Sequence, residues 1–338
     1  MNKLNKQKNI VCLGAGTGQA SILKGLSRMP FNVSGIVSVT DNGGSSGQIR
    51  KSMDIPQPGD TRNCLASVAD SEEIMTKLFE YRFLEGDLQG TSLGNLIIAS
   101  LTRIFGDFGQ AITMANIMLK TKAQILPVTT RSTHICAELL NGKIIKGEWE
   151  IIARKDKAKI SRMFLKDESY AYPPCISALR KADLIIIGPG SLFTALVANL
   201  LVSGIAPTIR ASRAKTCYIA NLMTQPGQTI GFKLSDHVQI IEKYLGRELD
   251  YILVNNKKIS GDVLKHYSEF GSEPVKINKI KNPKRIIRAP LAHDQVGEAV
   301  RKDLRSGKAF KEWSLWTHIL RHDSVRAAQE VGKLIKGS

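Results

Sequence analysis

Lys8-Asn9-Ile10-Val11-Cys12-Leu13-Gly14-Ala15-Gly16-Thr17-Gly18 decides the fold. A short apolar run ends at three alternating glycines, and helical apolar periodicity continues to about Arg28. This reads as strand, tight turn and helix, the opening of a βαβ unit. Gly14, Gly16 and Gly18 let backbone N–H groups approach an anion at a helix start, where the dipole favours negative charge. Thr17 adds a hydroxyl. A dinucleotide fingerprint would place its third glycine where Gln19 stands, so the loop points to a nucleotide-type ligand without specifying a dinucleotide,.

The same grammar recurs along the chain. Residues 33–40 read as a second strand, followed by Asp41-Asn42-Gly43-Gly44-Ser45-Ser46-Gly47, a mobile loop rich in donors for phosphate or sugar oxygens. Asp41 sits where a ribose-binding acid would stand. Residues 183–187 form a third strand ending at Gly188-Pro189-Gly190-Ser191, with Ser191 as N-cap of a helix to about Leu201,. Strands at 216–223 and 250–254 follow. The alternation predicts an α/β, Rossmann-like, doubly wound and mostly parallel sheet. Its post-strand loops converge at the carboxyl edge, where such sheets bind ligands.

Two insertions interrupt the alternation: a helical one over about 60–123, and a small β one over about 125–154 with a hairpin turn at Asn141-Gly142,. An amphipathic helix is expected over 323–336. No Pro/Gly/Ser-rich linker divides the chain, so residues 1–338 read as a single domain with insertions.

Composition narrows the function. Apolar residues make up 43% of 338, ample for a core and against a disordered or fibrous chain,. Five cysteines lie far apart without a C-x-x-C pair, which argues against disulfides or a cysteine zinc site and for a reducing cytoplasm,. The apolar run 184–205 is broken by Gly188, Pro189, Gly190 and Asn199, so no membrane span is expected,. The net charge of +18 suits nucleic acid, an anionic membrane, phosphorylated small molecules or simply a solvated lysine-rich surface,. Its densest stretch, 276–288, holds six basic residues but no aromatic one, so it lacks the stacking groups of a nucleic-acid binder,.

Pro58-Gly59-Asp60-Thr61-Arg62-Asn63 sets an acid, a base and an amide before a helix. Asp60 can cap that helix or do chemistry, and Arg62 can fork onto a phosphate. Asp41, Asp60 and Arg62 are the catalytic candidates, and Asp41 with ligand phosphates could hold Mg²⁺. Gly94-Asn95 inside an apolar helix suggests a close approach there. The six histidines show no metal-ligand spacing, and no nucleophile elbow is legible,.

Taken together, GAGTG (14–18), TDNGGSSGQIR (40–50), PGDTRNCL (58–65), SLGN (92–95), IGPGSLFTALVANLLV (187–202), MTQPGQT (223–229), SDHV (235–238) and YILVNN (251–256) resemble the gluconeogenesis factor family. That family is a branch of the group that includes 2-phospho-L-lactate transferase. The resemblance implies a cytoplasmic sugar-nucleotide binder of the UDP-N-acetylglucosamine type, more a non-catalytic regulator than an enzyme. It would serve cell shape and envelope synthesis on gluconeogenic carbon, with envelope-synthesis proteins as partners and a homo-oligomeric state. The transferase branch implies the alternative: group transfer from a nucleoside-diphosphate-linked donor with Mg²⁺. Carried over, Gly14 to Gly18 and Gly188, Gly190 and Ser191 would face phosphates. Asp41, Asn42, Gly43, Gly44 and Ser45 would sit beside them, with Asn63 and Asn95 nearby. Asn221, Met223 and Thr224 would line the pocket, and Tyr267 and Arg321 would grip the sugar nucleotide. The family usually has two adjacent acids where this chain has Asp41-Asn42, a loss that favours binding over transfer.

Overall fold

The computed structural model describes residues 7–71, 73–156, 158–294 and 319–336. From β1 (Asn9–Gly14) the chain returns through α1 (Gly16–Leu26) to β2 (Asn32–Val37). Helices α2 (Gly44–Met53), α3 (Gly59–Ser67), α4 (Glu73–Glu80), α5 (Leu93–Phe105) and α6 (Phe108–Met118) precede β3 (Gln124–Pro127). A small antiparallel sheet follows, built from β4 (Ile135–Leu139), β5 (Ile144–Lys146) and β6 (Ile160–Leu165), with α7 (Glu148–Ala153) between the last two. Next come α8 (Pro173–Lys181), β7 (Leu184–Ile187) and a π-turn at Leu192–Val197 that runs into α9 (Ala198–Leu201). Then follow α10 (Ile205–Ala211), β8 (Lys215–Ile219), α11 (Leu234–Leu245), β9 (Tyr251–Asn255), α12 (Gly261–Ser268) and β10 (Ile286–Ala289). A two-stranded ribbon of β11 (Ala292–Asp294) and β12 (Leu320–His322) leads to α13 (Ser324–Lys336).

The main sheet runs β10-β9-β8-β7-β1-β2-β3, every neighbour parallel. It is an α/β, Rossmann-like sheet. Ile10 to Leu13 and Leu184 to Ile187 are almost wholly excluded from solvent, because helices cover both faces of a parallel sheet,. One helical group gathers α1, α3 and α13, and the other gathers α8 to α11. The chain winds outward from β1 to β3 on one side and from β7 to β10 on the other. The strand order therefore reverses between β1 and β7, the place where open α/β sheets leave a crevice for ligands,.

Several boundaries differ from the sequence reading. β3 joins the main sheet beside β2, and the small sheet takes its third strand from 160–165. Strand β8 stops at Ile219, because the Asn221 backbone N–H turns back to donate to the Tyr218 hydroxyl at 3.3 Å. The stretch 44–47 opens helix α2 and is not a loop. Arg50 anchors that helix: Nη1 donates to the Thr40 and Asp41 carbonyls at 3.0 and 3.1 Å, Nε to Ser132 Oγ at 3.3 Å, and Nη2 to the Thr133 carbonyl. Part of the basic stretch is strand β10, and Lys276, Lys281 and Arg285 pair with Glu273, Glu248 and Glu242. Among the described residues no helix is long and apolar enough to cross a membrane.

Candidate functional site

Two glycine loops meet at the β1/β7 reversal. A Cβ on Gly18 would stand 3.0 Å from the Pro189 carbonyl oxygen, and one on Gly190 would stand 3.8 Å from that of Ala15. Gly16 and Gly188 have φ of +62° and +87°, conformations that side chains with a Cβ rarely adopt,. Beneath the first loop lies the answer to the missing third glycine. Gln19 is fully buried and its amide donates to the Cys12 and Ile36 carbonyls at 2.8 and 2.9 Å, tying β1 to β2. Asn199 likewise donates to the Gly14 carbonyl at 2.8 Å, linking the helix after β7 back to the β1 loop.

The second loop hangs on a chain of hydrogen bonds. Asn221 Nδ2 donates to the Gly190 carbonyl at 2.8 Å, and Tyr218 Oη donates to Asn221 Oδ1 at 2.8 Å. The Tyr218 proton is thereby used, so His237 Nδ1, 3.1 Å away, must be the donor to Tyr218 Oη,. His237 is wholly buried, which pushes its pKa down to about 4 and keeps it neutral,. Ser191 makes no cap hydrogen bond. Its hydroxyl accepts from Gln225 Nε2 at 3.0 Å.

Three carboxyls converge beside these loops. Asp41 Oδ1 accepts from the Gly43 N–H at 2.8 Å and Oδ2 from Gln57 Nε2 at 2.9 Å. Asp60 lies within the first turn of α3, and its Oδ1 stands 3.5 Å from where a Gly16 Cβ would be. It stands beside the glycine loop, and the N-cap position of α3 is Pro58. Burial raises all three acids first, and mutual repulsion raises Asp60 to about 7 and Glu148 well above the ordinary range,. Glu148 was not legible as a site residue, because it arrives from the β insertion, more than a hundred residues after Asp41.

Both Asp41 oxygens are engaged, and among the described residues no group of three His, Cys, Asp or Glu could hold a metal ion. A Mg²⁺ here would be held by Asp41 together with ligand phosphates and not by a cage of protein ligands,.

Other expected residues have partners within the protein. Arg62 Nη1 donates to the Phe79 carbonyl at 3.2 Å, bracing α4, and Nη2 donates to Asn63 Oδ1, while its buried Nε has no partner. A Cβ on Gly94 would stand 2.8 Å from Arg62 Cδ and 2.4 Å from the Phe79 oxygen, which is the close approach that glycine permits. Asn95 Nδ2 donates to Ser46 Oγ at 2.8 Å. Thr224 accepts from the Glu273 N–H at 2.9 Å and, through its carbonyl, from Ser272 Oγ. Met223 packs with Tyr267, Ala292 and Leu320. Nothing is described of the side chains of Gly44 and Ser45.

Tyr267 and Arg321 come together across 54 residues of sequence: the buried phenol, pushed up to about 12, feels the Arg321 guanidinium. Arg321 sits mid-β12, and that ribbon is pinned to the sheet edge. His322 Nε2 bonds the Ala220 carbonyl at 3.0 Å, and Ser21 Oγ donates to the His322 carbonyl at 2.9 Å.

Comparison with known proteins agrees with this architecture. A gluconeogenesis factor from Bacillus subtilis is 40% identical over 275 residues, covering 80% of this chain and 86% of its own. One from Halalkalibacterium halodurans is 42% identical over 279 residues, covering 82% and 86%. A crystal structure of a Bacillus halodurans protein superposes with a TM-score of 0.86 at 37% identity, covering 98% of this chain and all of that one. Residues 10–292 match the family described as 2-phospho-L-lactate transferase CofD, and the chain belongs to that family.

Proposed function

We propose that this chain binds a sugar nucleotide of the UDP-N-acetylglucosamine type in the cytoplasm and reports its supply to cell-envelope synthesis. It would thereby sustain cell shape during growth on gluconeogenic carbon. One observation carries the reading: the 14–18 and 188–191 loops touch at the β1/β7 reversal and offer backbone donors to a diphosphate,. The Tyr267–Arg321 pair, pinned to the same edge of the sheet, supplies a cation and a ring for the remainder of the ligand. The gluconeogenesis factor relatives support the physiological half of the proposal.

Thermal unfolding in the presence of UDP-N-acetylglucosamine, UDP-glucose, GDP or NAD tests it. A ligand at about 100 times its Kd stabilises by roughly 2.7 kcal/mol, which moves the midpoint by several degrees. A shift with UDP-sugars that Arg321→Ala removes is the expected result. No shift with any UDP-sugar at millimolar concentration defeats it.

A second reading is supported by the family description and by Asp60. A carboxyl with a midpoint of about 7 is matched to proton transfer near neutral pH,. In this reading the chain moves a group from a nucleoside-diphosphate-linked donor to a deazaflavin acceptor. Product formation that Asp60→Asn abolishes is the expected result, and no product with or without Mg²⁺ removes the idea.

A further inference from the structure

The 41–43 loop does more than flank the glycine turns. Asn42 Oδ1 accepts from the Trp149 N–H at 2.9 Å, and Asn42 Nδ2 donates to Glu150 Oε2 at 2.8 Å. Its amide thus grips two successive residues of α7, one by each end. Gly43 lies against the Trp149 ring, whose Cε3 would be 3.6 Å from a Gly43 Cβ. Gly147 makes the grip possible: it has φ +106°, and a Cβ there would be 2.0 Å from Glu150 Oε2 and 2.6 Å from Asn42 Nδ2. The other end of α7 is held too, since Arg154 Nε donates to the Gly227 carbonyl at 2.6 Å.

Held at both ends, α7 turns Glu148 towards Asp41 and Asp60. Across from it stands Thr194, fully buried, its hydroxyl against the Glu148 carboxyl. Gln228, bonded through Oε1 to the Phe193 N–H at 3.3 Å of the same turn, has a buried Nε2 without a partner. A carboxyl that accepts and a Gln228 amide N–H that donates, next to loops that offer N–H groups to a diphosphate, are the complement of a neutral group whose hydroxyls both give and take hydrogen bonds,.

We propose that Glu148 is a binding residue of the site and Asn42 its positioning residue, together selecting a diphosphate esterified to a neutral polyol over one that ends in a further phosphate. The inference rests on the nucleotide-binding reading above and adds the specificity. The physical basis is asymmetric. A third carboxyl exchanges hydrogen bonds with a sugar, whereas a terminal phosphate set beside Glu148, Asp41 and Asp60 either meets an ionised acid or must be bound with the acids kept protonated,. An aspartate at 42 would keep the bond from Trp149 but could not donate to Glu150, and would add a charge next to it.

The test compares UDP-N-acetylglucosamine with UTP by calorimetry, in EDTA, for wild type, Glu148→Gln and Asn42→Ala. Wild type is expected to prefer the sugar nucleotide by about tenfold or more, and Glu148→Gln to narrow that ratio chiefly by tightening UTP. Asn42→Ala should narrow it similarly. In a background lacking the other two tryptophans, Asn42→Ala should also change Trp149 emission in the absence of ligand, whereas Glu148→Gln should not. Binding with an unchanged ratio in both variants overturns the inference and leaves the binding reading intact. Failure of wild type to bind either nucleotide overturns both.

Discussion

Asp60 keeps its proton in the folded chain over a pH range where the unfolded chain has released it. Burial first and Asp41 second raise it from 3.8 to about 7. Folding therefore takes up a proton. This group's contribution to stability is complete below pH 3.8, shrinks as pH rises and is gone above about 7,. Asp60→Asn removes the effect. The variant is expected to exceed wild type in stability at pH 8, by at most about 4 kcal/mol, and to show a flatter pH dependence. Denaturant unfolding at pH 5 and pH 8 decides the matter, and an unchanged pH slope contradicts it. Neighbouring Asp41 also rises by burial, but its bonds from Gly43 and Gln57 pull the other way, so the two acids share a site without being equivalent.

Between elements, α1 and α13 pack closely at Gly25. A Cβ on Gly25 would lie 1.9 Å from the Ser324 carbonyl oxygen, whereas one on Gly332 would meet only Met29 and Phe31 at ordinary contact distance. Gly25→Ala must push α13 away and is expected to cost about 1–3 kcal/mol. Gly332→Ala makes only ordinary contacts within a helix and should be neutral or stabilising by up to about 1 kcal/mol,. Thermal midpoints of the pair settle it; equal midpoints mean that α13 yields freely. The same scale shows what the sequence could convey. The helices and strands around 9–28, 184–201 and 324–336 were legible because apolar period and glycine punctuation agree there. Strand β10 was hidden in a lysine-rich stretch, and α2 in a run of glycine and serine whose helix depends on the distant anchor at Ser132 and Thr133. The glycine loops were legible by local chemistry. Glu148 and the Asn42 latch were not, since they exist only once the β insertion folds back over the β2 loop.

For the molecule as a whole, all five thiols are buried. Burial pushes every one of them up, Cys12 and Cys217 to about 12, so none is a nucleophile at neutral pH,. A chromogenic thiol reagent should find none of them in the native protein and five after denaturation, a direct count of global unfolding. Rapid native reaction at any cysteine would mean that part of the sheet opens on its own.

The seating of α13 on α1 has a consequence in time. Residue 26 is joined to the chain nearly three hundred residues before residue 324, an interval of about 15–60 s at ordinary elongation rates,. Throughout it the face of α1 centred on Gly25 has no cover, and Arg321 does not yet exist to meet Tyr267. The nascent chain therefore carries its glycine loops before α13 is there to cover α1, and on the proposed reading the ligand grip is completed only after β12 is made.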